Sequence, residues 1–212
     1  MQVMHIRPKH IMTKFRDSTL LARKWPYLVS LLLIMLTSAC SHTLQRQTCV
    51  ALASDVNYCL SPIPADAQIR SLTQQVSIQV DGSHHELLTQ LEQDKHNLTL
   101  VALAPLGQAL FTLTYDGNSL TSQQSMLLGD EFKAEYLLAL IQLAYWPIED
   151  VNPHLQGATL ISQPCNAAQC RTLYANEKEG IMQISYDQQD PWKAVIQLAI
   201  PKAKFELKIT PI

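Results

Sequence analysis

Between residues 72 and 209, apolar and polar residues alternate in short runs that are separated by turns rich in Gly, Pro and Asp. Successive side chains of a β-strand point to opposite faces of its sheet, so this period of two predicts strands with one buried face. The last run is the clearest, because Ala203, Phe205, Leu207 and Ile209 alternate with Lys and Glu. Strand follows strand with short connections, which favours an antiparallel sheet.

One segment breaks this alternation. Residues Glu131–Tyr145 include no Gly or Pro and are rich in Leu, Ala and Glu; Asp130 can cap their start, and Pro147 follows them. These features predict a helix. Its apolar residues cover most of its circumference, so it must be buried on more than one side. We therefore predict a mainly β fold of about ten antiparallel strands, strongly curved or nearly closed, with one apolar helix packed on the sheet or inside it.

The N-terminal stretch has a different composition. Six basic residues between Arg7 and Lys24 precede the apolar run Tyr27–Leu36, which is well short of the ~20 residues that span a bilayer. The run ends in Leu36-Thr-Ser-Ala-Cys40, small residues followed by a cysteine. This pattern predicts a signal peptide over residues 1–39. It resembles the lipobox of bacterial lipoproteins; an ordinary secretory signal and an uncleaved membrane anchor are the alternatives.

The lipobox resemblance implies cleavage before Cys40 and attachment of diacylglycerol to its sulfur. Ser41 follows the cysteine, where an Asp would resemble the inner-membrane retention signal, so the expected location is the periplasmic face of the outer membrane. Removal of residues 1–39 takes away six basic residues and one acid, which leaves 10 Lys and Arg against 17 Asp and Glu, a formal charge of −7. Nucleic acid is therefore excluded as an expected partner, because phosphate binding needs clustered basic residues.

Four further cysteines remain in a compartment that permits disulfides. Cys165 and Cys170 flank a short loop between two predicted strands, where they can face each other, so we predict that they form a disulfide. Cys49 and Cys59 form the second predicted pair. A zinc site is the rival interpretation, but no His lies at ligand spacing from either pair.

The predicted organisation has three parts: signal peptide 1–39, lipidated N-terminus and tether 40–71, and a folded domain 72–212. The tether prediction depends on Ser61-Pro62-Ile63-Pro64 and on the absence of sustained periodicity between residues 41 and 70.

No catalytic motif is visible: the sequence contains no Gly-rich phosphate loop, no G-x-S-x-G and no H-E-x-x-H. His84 and His85, beside a hairpin turn, and Glu149 with Asp150, after the helix, are expected to be solvated. We therefore predict a protein that is not an enzyme and that needs no metal and no cofactor.

Two stretches resemble known proteins. Leu98–Gly117 and Glu135–Pro147 look like a family of uncharacterised bacterial lipoproteins whose genes accompany aryl-polyene or fatty-acid-like biosynthesis clusters. Residues 72–210 are more remotely similar to the outer-membrane lipoprotein receptor LolB and its periplasmic partner LolA. This resemblance implies a half-open antiparallel barrel, covered by helices, that takes up acyl chains. In LolB a leucine in a Pro-Leu-Gly turn contacts the membrane, which makes Leu106 of Pro105-Leu106-Gly107 the expected membrane-contact residue.

The leading hypothesis is an envelope lipoprotein that binds or transfers acyl lipid, or the acyl chains of lipoproteins, without covalent chemistry; a periplasmic carrier protein is then an expected partner. The predicted lipid-binding residues lie on the helix and on two strands: Leu137, Leu140, Ile141, Tyr145, Trp146, Val101, Leu103, Phe111 and Leu113. The alternative is an assembly lipoprotein that docks a protein partner and has a solid core. An enzyme acting on an envelope lipid ranks last.

Overall fold

The computed structural model describes residues 44–125, 128, 133–176 and 179–212. Cys40, the predicted lipidation site, and Asp130 and Glu131, at the predicted helix start, lie outside these residues. Ser41–Ile212 is one compact unit and includes every element described below.

The described residues include fourteen strands. They are β1 (Leu44–Arg46), β2 (Cys49–Ala53), β3 (Val56–Cys59), β4 (Arg70–Val80), β5 (Ser83–Gln93), β6 (Leu98–Leu103), β7 (Ala109–Tyr115), β8 (Leu120–Gln124), β9 (Leu155–Gln156), β10 (Ala158–Gln163), β11 (Gln169–Ala175), β12 (Glu179–Tyr186), β13 (Ile196–Ile200) and β14 (Phe205–Pro211). The described helices are α1 (Ala134–Tyr145), α2 (Ile148–Val151) and two short 3-10 turns, Asn152–His154 and Pro201–Ala203.

Eleven strands form one large antiparallel sheet in the order β1-β8-β7-β6-β5-β4-β14-β13-β12-β11-β10. The prediction of a mainly β, antiparallel fold is therefore confirmed. β1 and β10 stand at opposite edges and do not pair, so the sheet is open rather than a closed barrel. β2, β3 and β9 form a separate small sheet.

The large sheet has one apolar and one polar face, as the alternation predicts. We call inner the face that carries Val76, Leu91, Leu100, Leu113 and Leu198, which are all at most 5% exposed. The opposite, outer face is rich in exposed Thr, Ser and Gln along β4 and β5. The hairpin between these strands turns at Asp81-Gly82, and both residues adopt positive φ, as a tight hairpin turn requires.

Helix α1 contacts the inner face. Its C-terminal turns bond to three side chains of the large sheet: Tyr145 to Gln74 of β4, Leu143 and Trp146 to Arg171 of β11, and Ala144 to Tyr186 of β12. From Leu137 to Tyr145 every residue is buried. None of the helices in the described residues is long and apolar enough to cross a membrane.

The segment predicted to be a tether differs from that expectation. Leu44–Arg46 extends the large sheet, and the hairpin of β2 and β3 buries Val50, Leu52 and Tyr58 in the core. The physical reason is the short alternation from Val50 to Tyr58, which the sequence interpretation treated as irregular. Folded structure therefore begins well before residue 72.

Both predicted disulfides are present. Cys49 and Cys59 are directly opposite each other on β2 and β3. Cys165 and Cys170 close the connection between β10 and β11. The pairs lie on two different sheets, so each fixes the register of its own hairpin.

Candidate functional site

A cavity of about 830 Å³ opens at the end of the large sheet where β4 turns into β5 and β13 into β14. Its volume falls in the range of about 300–1,000 Å³ that small-molecule pockets occupy. The lining comes from four strands (β4, β5, β7 and β14), from the turn between β6 and β7, from the connection after β8 and from the start of α1. These residues are Ile78, Val80, His84, His85, Glu86, Leu87, Pro105, Leu110, Phe111, Leu128, Lys133, Tyr136, Leu137, Leu140 and Phe205.

The strand side of the cavity is apolar because the pairing of β4 with β14 places apolar residues opposite each other. Val80 is opposite Phe205, and Ile78 is opposite Leu207, so inner-face residues of β4 and β14 meet near their common turn end. A register shift after Ala102 of β6 leaves Leu110 of β7 without an opposite residue on β6, and Leu110 also lines the cavity. A bulge of this kind re-aims a side chain at the rim of a sheet.

The helix side of the cavity comes from residues spaced by three, four and seven positions. Lys133, Tyr136, Leu137 and Leu140 occupy one face of a helix at this spacing, and all four line the cavity. The ring of Tyr136 packs edge-on against the ring of Phe205, with 6.5 Å between centroids. Burial raises the pKa of the Tyr136 hydroxyl above its ordinary value.

Polar side chains lie on one part of this lining. His84, His85 and Glu86 come from the start of β5, and Lys133 precedes α1. The two carboxylate oxygens of Glu86 have partners: Gln75 Nε2 donates to one at 2.9 Å, and His84 Nε2 lies 3.3 Å from the other. The cavity is thus apolar inside, with polar groups from β5 and α1.

Three of the predicted lipid-binding residues line the cavity, namely Phe111, Leu137 and Leu140. Four others lie in the packed core: Leu113, Ile141, Tyr145 and Trp146, which are at most 5% exposed and contribute nothing to the cavity lining. The Tyr145 ring stacks on Trp192 at 4.5 Å, and its hydroxyl accepts a hydrogen bond of 2.6 Å from Gln74. The placement of these four in the cavity was wrong, because their side chains are enclosed in the packed core.

The placement of Val101 and Leu103 in the cavity was also wrong. They alternate with Leu100 and Ala102, whose side chains are on the inner face, so they point to the outer face. β6 is apolar on both faces, and therefore the period-two rule could not tell which residues point inward.

Leu106 is 98% exposed at the tip of the turn between β6 and β7. Ala104 N–H donates to the carbonyl of Gln108 at 2.8 Å, and Gly107 adopts φ +80°, which a side chain would disfavour. Pro105, the residue before Leu106, lines the cavity. Leu106 therefore protrudes beside the cavity rather than into it.

Sequence analysis missed several lining residues, including Ile78, Val80, Lys133, Tyr136 and Phe205. Lys133 and Tyr136 could have been found from the sequence, because they lie seven and four residues before Leu140 and so share its helical face. Val80 and Phe205 come together only through the pairing of β4 with β14, strands that are far apart in sequence.

A family model described as "Protein of unknown function (DUF3261)" matches residues 71–212. The chain belongs to this DUF3261 family. A search of curated proteins finds no match to this chain. The DUF3261 region includes the whole cavity, whereas β1 to β3 precede it. Within the described residues no cluster of His, Cys, Asp and Glu could hold a metal ion.

Proposed function

We propose that this protein is an envelope lipoprotein that binds acyl chains in the cavity between α1 and the turn end of β4, β5 and β14, and releases them without covalent chemistry. The observation that carries the proposal is the apolar cavity of about 830 Å³ beside a tightly packed core. An acyl chain that leaves water for this space gains about 0.8 kcal/mol for each buried methylene group. The fold proposed for this role is a half-open barrel covered by α1, as in LolA and LolB.

The anchor of the proposed lipoprotein is diacylglycerol on Cys40, after removal of residues 1–39, and its location is the outer membrane. Leu106 is the proposed membrane contact. Transfer of an exposed leucine side chain into lipid is favourable by about 2 kcal/mol, and its return to water costs the same free energy. A periplasmic carrier that delivers the acyl chain is the proposed protein partner.

The experiment uses the compact unit 41–212, exported to the periplasm behind a cleavable signal peptide and analysed by native mass spectrometry with lipid extraction. We expect a co-purifying acyl lipid. Val80→Trp should fill the mouth of the cavity and reduce lipid occupancy at least about fivefold, because an indole occupies space that a ligand needs. An apo mass that takes up no added lipid would contradict acyl-chain binding.

Leu88→Trp is the matched control. Leu88 and Val80 are similarly exposed, at 37% and 39%, but Leu88 follows Leu87 on β5 and points to the outer face. We therefore expect Leu88→Trp to leave lipid occupancy unchanged. Equal loss of lipid in the two variants would show that the cavity is not the binding site.

A second candidate function is the docking of a protein partner, and the edge strand β10 favours it. Among the described strands β10 pairs with β11 alone in the large sheet, and its Ile161 is 41% exposed. On the other side of β10, the Asn152 side chain bonds the N–H and the carbonyl of Leu160. The rest of this edge, towards Gln163, can accept a strand from another chain. Under this function the protein purifies without lipid, and Ile161→Lys weakens capture of the partner.

A further inference from the structure

The polar groups of the cavity, rather than its apolar ones, indicate which class of acyl compound it would hold. Four inner-face residues of β4 and β5 line the cavity, and three of them are apolar; the fourth is His85, which is directly opposite Ile78. By alternation the His85 ring belongs to the same face as Leu87 and Thr89. The exposed His85 ring, which carries at least one N–H donor, therefore lies at the edge of the cavity.

Two more hydrogen-bond donors approach from α1. Lys133 and Tyr136 are three residues apart, on the helical face that lines the cavity. Within the part of the chain that the structure describes, the Lys133 ammonium group forms no ion pair. In the same described part, the Tyr136 hydroxyl has no hydrogen-bond partner, although its ring packs on Phe205. Burial keeps this phenol protonated, and hence a donor, well beyond neutral pH.

The carboxylate in the cavity lining, which could accept hydrogen bonds from a ligand, already has partners. Glu86 is the acidic residue in the cavity lining, and Gln75 and His84 lie beside its two oxygens. Among the described lining residues, the groups left for a ligand are thus the Lys133 ammonium group and two groups that can donate, the His85 ring and the Tyr136 hydroxyl, with no unpartnered carboxylate. A pocket with an apolar interior and a few donors on one side suits a ligand with an apolar chain and a negative head.

We propose that the preferred ligand is a single-chain amphiphile with an anionic head, which Lys133, His85 and Tyr136 hold while the chain lies against Phe111, Leu137 and Leu140. This inference rests on the proposed acyl-chain binding and adds the class of head group. A carboxylate and a phosphate share the required chemistry, since both accept several hydrogen bonds and attract an ammonium group.

The test is displacement of the neutral fluorescent probe N-phenyl-1-naphthylamine from the compact unit 41–212. Four competitors have the same number of chain carbons, twelve: dodecanoate, dodecyl phosphate, dodecanol and dodecyltrimethylammonium. Each is used below its micelle concentration or, for dodecanol, below its solubility limit. We expect at least one of the two anions to displace the probe at a concentration about tenfold lower than the alcohol and the cation require, because charge-assisted hydrogen bonds are stronger than neutral ones. The better anion identifies the head group.

Lys133→Gln should weaken displacement by the better anion about three- to tenfold and leave displacement by dodecanol unchanged. Lys95→Gln is the matched control, because Lys95 is an exposed lysine in the turn between β5 and β6, at the other end of β5. Equal displacement by the four compounds, or equal effects of the two lysine substitutions, would overturn the anionic-head inference while acyl binding stands. If no competitor displaces the probe or binds, the proposed acyl-chain binding fails too.

Discussion

The two halves of helix α1 have almost the same apolar composition but very different surroundings. The first half, with Leu137 and Leu140, borders the cavity, whereas the second half, from Ile141 to Tyr145, is enclosed by the sheet and by the N-terminal hairpin. Side-chain hydrogen bonds between this helix and other elements concentrate on the second half. The halves therefore differ in the polar contacts made to them rather than in hydrophobicity.

Arg171 and Tyr186 hold the C-terminal end of α1. Arg171 Nη1 donates to the carbonyls of Leu143 and Trp146 at 3.1 and 2.6 Å, and the Tyr186 hydroxyl donates to the carbonyl of Ala144 at 2.6 Å. These carbonyls lack partners within the helix, and they carry the negative end of its dipole. A buried cation at this position satisfies both the hydrogen bonds and the charge.

Gln142 joins the same half of the helix to the N-terminal segment. Its side-chain oxygen accepts hydrogen bonds from the Tyr58 hydroxyl at 2.8 Å and from the Ser61 N–H at 2.9 Å, and its amide donates to the Ser61 carbonyl at 3.1 Å. Gln142 is fully buried, so these bonds form away from water. Ligand space therefore remains beside the half of α1 that makes fewer polar contacts.

The first prediction compares adjacent leucines on the two sides of α1. Leu138 is fully buried and away from the cavity, whereas Leu137 is 9% exposed and lines it. We expect Leu138→Ala to lower the free energy of unfolding by about 4 kcal/mol and Leu137→Ala by about half as much, because only the first opens a new void in close-packed surroundings. Urea denaturation measures both, and equal losses would mean that the cavity collapses in solution.

The second prediction concerns the polar contacts at the helix end. Arg171→Ala should lower the free energy of unfolding by about 3 kcal/mol, since it leaves the buried carbonyls of Leu143 and Trp146 without donors. Lys208→Ala, on an exposed position of β14, is the control and should change it by less than about 0.5 kcal/mol. A loss below about 1 kcal/mol for Arg171→Ala would show that water replaces the guanidinium group.

The third prediction concerns alkaline pH. Burial raises the pKa of Tyr58 and of Tyr145 to about 12, above the value near 10 that both have in the unfolded chain. The folded state therefore keeps protons that the unfolded state loses, so stability is complete below about pH 10 and decreases as the pH rises towards 12. Each tyrosine contributes at most about 1.4 kcal/mol per pH unit to this decrease.

Unfolding by urea at a series of pH values between about 8 and 11 measures this effect. Tyr58→Phe should reduce the slope of the unfolding free energy against pH, above pH 10, by the contribution of one tyrosine, because phenylalanine has no proton to lose. A midpoint that stays constant up to pH 11 would mean that both hydroxyls reach solvent in the folded protein.

The smallest effect on stability is expected at Leu106. Because the side chain is 98% exposed, Leu106→Ser should change the free energy of unfolding by less than about 0.5 kcal/mol. If Leu106 is a membrane contact, the same substitution should nevertheless lower the fraction of the compact unit 41–212 that co-floats with phospholipid vesicles. Ile69→Ser is the control, since Ile69 is 79% exposed and lies outside the cavity lining. Equal co-flotation of the Leu106 and Ile69 variants would argue against a membrane role for the turn.

Local patterns in the sequence determined the strands, the hairpin at Asp81-Gly82, the position of α1 and both disulfides. Each of these depends on residues close together in the chain, where alternation, turn residues and cysteine spacing act directly. The same rules failed on β6, because a strand that is apolar on both faces has no periodic signal for its inner face. They also failed between Val50 and Tyr58, where the alternating run is short and a segment with two prolines, Pro62 and Pro64, follows.

Only the tertiary structure decided where the cavity lies. The sequence indicated that α1 needs apolar surroundings on more than one side, but not which of its turns would be filled by neighbouring side chains. Arg171, Tyr186 and Gln142 close the space around the second half of the helix, while the pairing of β4 with β14 brings Val80 and Phe205 to the first half. These contacts join residues far apart in the chain, so the position of a void depends on packing that local periodicity does not encode.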